Sequence, residues 1–236
     1  MNFIFPFLAA ILPAVFLFLY IYRQDRIPEP SPMLWRAVLY GILISLPVSY
    51  VEMLVNNYLF GSGEPTTIIG STVEAFIVAA LPEEAFKLFA LWLILRNNPY
   101  FDEHFDGIVY AVCVGLGFAA IENVMYIFLY IDEWQSVALS RALLAVPGHY
   151  AFAVLMGYYY SLYHFVESSL FNKAAILFVP VLAHGTYDAL ALSGQVNPLL
   201  GSISFFVLVY FCIKMHKHCR WRVLAMVEKD KVQHLT

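Results

Sequence analysis

Charge is scarce in this sequence. Asp, Glu, Lys and Arg make up 13% of its 236 residues, about half the roughly 25% of an ordinary soluble domain. Hydrophobic residues supply 61%, and mean hydropathy is +0.73. The shortage excludes a water-soluble globule and marks an integral membrane protein. Cysteine is also sparse: Cys113, Cys212 and Cys219 show no CxxC spacing, which excludes a disulfide framework and a thiolate zinc site. Gly-rich phosphate loops, low-complexity tracts and clear repeats are missing. No basic residue precedes the first apolar run, and that run is about 20 residues long, against about 7–15 in a signal peptide. It is therefore read as a retained span. The basic stretch "KMHKHCRWR" directly follows an apolar run, so it reads as a juxtamembrane anchor, with no nucleic-acid partner.

What is present is a succession of apolar runs bounded by charge, Pro and Gly, near residues 3–22, 34–55, 68–95, 106–131, 137–163, 173–193 and 198–215. They predict an all-α, polytopic transmembrane helix bundle of about seven spans, forming one integral membrane domain over 1–236, with 214–236 as a basic cytoplasmic tail. Basic residues alternate between loops. Arg23 and Arg26 follow span one, Arg96 follows span three, Lys173 follows span five, and Lys214, Lys217, Arg220 and Arg222 fill the tail; "NNYLFGSGEPTT" (56–67) and "SGQVNP" (193–198) have no Lys or Arg. This predicts a multi-pass protein of the cytoplasmic membrane with its N-terminus outside and its C-terminus in the cytoplasm. Arg141 is expected to snorkel to the outer interface.

Several polar residues stand where lipid should exclude them. Span three carries Glu83, Glu84 and Lys87, span four Glu122 and Asn123, span five His149, and span six His184 and Asp188. A charge at mid-bilayer costs about 2.5–3.5 kcal/mol on insertion scales. Counted from the outer ends at about 1.5 Å per residue, these acids and histidines lie roughly 13–24 Å deep on four helices. Shared depth predicts one polar cluster within 82–188. Glu83 and Lys87 are four residues apart, with the acid on the favourable N-terminal side. His184 and Asp188 have the same spacing, which lets Asp188 hold the imidazole in one tautomer. Pro82 disturbs the turn before the acids. Gly115, Gly117 and Gly148 allow close helix approach.

Neighbouring carboxylates beside a histidine form an acid–base set able to activate water, and a second histidine can stabilise the oxyanion of an attacked amide. Neither GxSxG nor HExxH occurs, which disfavours a serine nucleophile and a zincin. The preferred hydrolase needs no cofactor. Zinc bound by His149, His184 and Glu122 stays open by residue type. A proton-coupled transporter could use the same groups as a relay, although the span beyond Lys87 is apolar and offers no continuous path. A non-enzymatic membrane scaffold is the third alternative.

"PEEAFK", "FDGIVYAVCVGLGFAAIEN", "PGHYAFAVLMGYYY" and "HGTYD" together resemble the PrsW family of membrane-embedded proteases and, more distantly, the CAAX-processing and bacteriocin-processing protease superfamily. The resemblance implies hydrolysis of a peptide bond in a membrane protein or peptide substrate, the family role being cleavage of an anti-sigma factor in signalling. It carries the paired acids to Glu83 and Glu84, the basic residue after them to Lys87, the second-motif acid to Glu122, and the last motif to His184 and Asp188. His149 is nominated by its depth. The wider superfamily has a histidine where this chain has Glu122.

Overall fold

A computed structural model of the protein describes residues 3–61 and 63–233. Among these residues the chain forms seven helices and no strand: α1 (Ile4–Tyr22), α2 (Ser31–Phe60), α3 (68–95), α4 (Asp106–Leu129), α5 (134–166), α6 (Leu170–Val196) and α7 (Pro198–Gln233). Six segments are long and apolar enough to cross a membrane. The seventh, α3, carries too many ionisable side chains (Glu74, Glu83, Glu84 and Lys87) to match their apolarity.

Helix α4 is the axis of the bundle. Its first half is buried on every side, from Phe105 to Ala119, as expected of a helix that is apolar all round. Small residues bring its neighbours close. A Cβ on Gly117 would strike the carbonyl of Val38, and one on Gly41 the carbonyl of Val114, so α2 and α4 touch backbone to backbone. Gly107 and Gly157 make the same approach between α4 and α5, and Gly115 faces Ala153. Gly148 is different: a Cβ there would meet the rings of Phe152 and Tyr187 at ordinary contact distance, so no backbone-to-backbone approach depends on it.

Two helices widen just before a proline. In α3 the segment Glu74–Ala80 is a π-helix, closed by the Leu81 N–H donating to the Phe76 carbonyl, and Pro82 follows. In α5 Arg141–Ala145 is a π-helix, closed by Val146 N–H donating to the Arg141 carbonyl, and Pro147 follows. A proline cannot donate, and its ring collides with the carbonyl four residues back; a wider turn relieves that collision. The disturbance expected before Pro82 is this π segment.

Helix α7 outruns the expected span. It is helical through Gln233, so the basic run belongs to the helix, and Arg222 lies over the Tyr158 ring at 4.1 Å. Residues 234–236 of the expected tail lie outside the described residues. His216, within the basic run, reaches the Pro147 carbonyl at 3.0 Å. The stretch "FDEHFDG" (101–107) has the composition of a solvated loop yet is largely buried: Phe101, Glu103, Phe105 and Asp106 are all enclosed.

Candidate hydrolytic site

The polar residues of α3, α4, α5 and α6 meet inside the bundle. Lys87 is the hub. Its ammonium donates to Glu83 Oε2 and to Glu84 Oε1, both at 2.8 Å, and lies 3.2 Å from His149 Nδ1. Phe118 presents its ring to the same ammonium at 4.3 Å. From α6, His184 places Nδ1 2.9 Å from Glu84 Oε1 and 3.9 Å from Glu83 Oε2. The two imidazoles have their centroids 5.4 Å apart, and Phe152 stacks on His184 at 4.5 Å. Glu83, Glu84, Lys87, His149 and His184 are all buried. Unpaired charges here would cost several kcal/mol each; each of these has a partner of opposite sign or a hydrogen bond.

The outward ring nitrogens are matched as well. His149 Nε2 is 2.7 Å from Glu122 Oε2, and His184 Nε2 is 3.2 Å from Asp188 Oδ2. Each histidine thus turns Nδ1 inward and rests Nε2 on a carboxylate. The partners of His149 also assign its tautomer. An ammonium can only donate and a carboxylate can only accept, so Nδ1 accepts from Lys87 and Nε2–H donates to Glu122. His184 faces carboxylates through both nitrogens and donates through both.

Every residue singled out in the sequence therefore lies in one connected network: Glu83, Glu84, Lys87, Glu122, His149, His184 and Asp188. Two expectations change. Arg141 does not snorkel: its guanidinium is 2.6 Å from Glu122 Oε2 and 2.6 Å from Asn123 Oδ1. Among the metal-binding candidates Glu83 replaces Glu122, which meets His149 through the outward nitrogen. One residue was missed. Glu52 of α2 lies within electrostatic reach of Glu83 and Glu122; it is the only acid of its span, and its place near the outer end hid it.

One ligand atom each from Glu83, His149 and His184 lies within 4.8 Å of the others. Two imidazoles and a carboxylate, each imidazole backed by a carboxylate, match the ligand types and outer partners of a catalytic zinc site. Glu84 Oε2, fully buried and without a hydrogen-bond partner among the described residues, lies on the carboxylate beside them. The residues fit a divalent ion, which would take over the neutralising charge that Lys87 and the His184 proton supply here.

Comparisons with known proteins give the family. The PrsW family intramembrane metalloprotease profile matches residues 29–215. A protein named Protease PrsW from Clostridioides difficile is 36% identical over 191 residues, covering 77% of each chain. Proteins of the same name from Geobacillus kaustophilus (34% over 189 residues, 79% of this chain and 80% of the relative) and Bacillus subtilis (32% over 217 residues, 90% and 94%) match similarly. No solved structure matches. With buried acids and carboxylate-backed histidines in one network and a family profile spanning most of its length, the chain belongs to the PrsW family of intramembrane metalloproteases.

Proposed function

We propose that the protein hydrolyses a peptide bond of a membrane-associated protein segment, and that the Glu83–Glu84–Lys87 cluster with His149 and His184 is where it does so. The observation that carries this is the convergence of two carboxylate-backed histidines, from α5 and α6, on paired acids of α3. Glu83, His149 and His184 would hold a divalent ion, which supplies Lewis acidity toward a water or a peptide carbonyl. Glu84 then takes the second role: its unpartnered Oε2 accepts the proton from the attacking water. Lys87 holds both acids by one ammonium and fixes their spacing. Asp188 accepts from His184 Nε2–H and so would keep Nδ1 bare and turned toward the ion. Buried packing around Phe118 and Phe152 keeps bulk water away from these groups.

The loop charges support a placement with the N-terminus outside and the C-terminus in the cytoplasm, which puts the cluster in the outer half of the membrane. The relatives carry a protease name, and nothing in them supports proton-coupled transport.

The test is cleavage of a membrane-anchored peptide in proteoliposomes, with metal content measured on the same preparations. Glu84→Gln is expected to lose about 10²–10⁴-fold in rate while keeping its metal. Glu83→Gln is expected to lose both, and chelation of the wild type should stop cleavage reversibly. Full activity in both variants would end this reading.

A further inference from the structure

Arg141 stands outside the cluster, yet it reaches one of the cluster's acids. Its Nη2 lies 2.6 Å from Glu122 Oε2, the same oxygen that His149 Nε2 meets at 2.7 Å. Its Nε donates to Asn123 Oδ1 at 2.6 Å, and Asn123 Nδ2 donates onward to the Ala10 carbonyl at 3.0 Å. The Tyr126 ring lies beneath the guanidinium at 4.1 Å. Glu122, Asn123 and Tyr126 belong to one turn of α4, so the guanidinium is held on three sides.

The π turn before Pro147 also sets the phase of this contact. On a uniform α-helix residues 141 and 149 would be rotated about 80° apart. The π segment Arg141–Ala145 takes in an extra residue, which reduces the rotation to about 20°. Arg141 and His149 then share a face of α5 and reach the same carboxylate.

We propose that Arg141 is a positioning residue: it fixes Glu122 and, through Glu122, the tautomer and orientation of His149. The ion pair occupies one lobe of Glu122 Oε2 and stops the carboxylate from rotating. The His149 Nε2–H then has one acceptor at one angle, and Nδ1 faces the cluster without a proton. Remove the guanidinium and Glu122 is free to turn; only the Lys87 contact then holds the ring, and once the ring swings off that ammonium His149 can adopt the other tautomer and present an N–H where an acceptor is needed.

The kinetic part rests on the proteolytic reading above; the tautomer part does not. In proteoliposomes, Arg141→Gln is expected to lower kcat ten- to a hundredfold, the usual cost of losing an outer-sphere partner, with KM unchanged. Arg141→Lys, which keeps the charge, should recover most of the wild-type rate. The ¹⁵N imidazole spectrum of His149 in labelled protein should show bare Nδ1 in the wild type and Arg141→Lys, and a mixture of tautomers in Arg141→Gln. Should Arg141→Gln fail to fold, Asn123→Ala loosens the same clamp, and the same tautomer mixing is expected. Wild-type kcat and an unchanged His149 spectrum in Arg141→Gln or Asn123→Ala would overturn the proposal. A wild type that cleaves nothing while its His149 spectrum still responds to Arg141 would instead overturn the proteolytic reading.

Discussion

Two groups of buried and half-buried carboxylates stand in this protein, and they are partnered in opposite ways. In the first, Glu83, Glu84, Glu122 and Asp188 are set against Lys87, Arg141, His149 and His184. Side chains from four helices face one another there, and proton donors alternate with acceptors. The second group lies where the α1–α2 loop, the start of α4 and the end of α7 meet. There the acids hold mainly backbone. Asp106 accepts from the N–H groups of Asp102 and Glu103. Asp230 accepts from those of His104 and Phe105, and pairs with the His104 ring at 2.6 Å. Glu29 accepts the hydroxyl proton of Tyr110. Acids aimed at N–H groups fix a chain path; acids interleaved with imidazoles and an ammonium can exchange protons. Burial alone does not tell the two apart, because Glu83 and Glu84 are as enclosed as Glu29, Asp106 and Asp230. The partners do.

The contrast is testable by variants that should affect one group through turnover and the other through stability. The largest effect is expected for His184→Gln, which removes the α6 imidazole from the first group. Cleavage should fall by about 10²–10⁴-fold with little change in thermal midpoint, measured on the same proteoliposome preparation. Asp188→Asn touches only the outward nitrogen of His184, so a smaller loss, about ten- to a hundredfold in activity or metal affinity, is expected. In the second group, Asp230→Ala leaves the N–H groups of His104 and Phe105 without their acceptor. About 1–3 kcal/mol of stability should be lost, read from thermal or denaturant unfolding in detergent, while turnover per folded molecule stays at the wild-type value.

The smallest effect concerns pH. Burial, ahead of repulsion from Glu103, pushes the Asp25 carboxyl up to about 6. Burial likewise pushes Glu29 up to about 7, against the opposing hydrogen bond from Tyr110. Both folded values exceed the ordinary ones of 3.8 and 4.5, so the folded protein keeps protons that the unfolded chain has released. Their contribution is complete below the ordinary values and is lost as pH rises through about 6 and about 7. The thermal midpoint should therefore decline as pH rises through that window, and Glu29→Gln should flatten the decline. An equal slope in wild type and variant would contradict the assignment.

How much of this was legible in the sequence differs between the two groups. The first could be read because depth along a span is a simple count: Glu83, Glu84, Glu122, His149 and His184 fall at similar levels, and the helices do bring them together. What depth cannot supply is phase. Arg141 looked like an interface residue because its distance from the span end is short, while the π turn that rotates it toward Glu122 leaves no mark except Pro147 six residues later. The choice of Glu83 over Glu122 beside the two inward nitrogens is also a matter of which side of the His149 ring each acid meets. The second group was invisible for another reason. "FDEHFDG" has the composition of a solvated loop, and Asp230 lies 126 residues beyond His104, so only tertiary structure reveals that they cover each other. The length of α7 was hidden by its charges, which read as a tail although Arg222 packs over Tyr158.

The central claim is that acids on α3 and imidazoles on α5 and α6 work as one hydrolytic unit. Its most direct measurement is the single-turnover cleavage rate of a membrane-anchored peptide by wild type, Glu83→Gln, His184→Gln and the double variant. Groups acting as a unit are strongly non-additive, so the double variant is expected to cleave no more slowly than the slower single one. Losses that multiply in the double variant, or a wild-type rate in either single one, would contradict it.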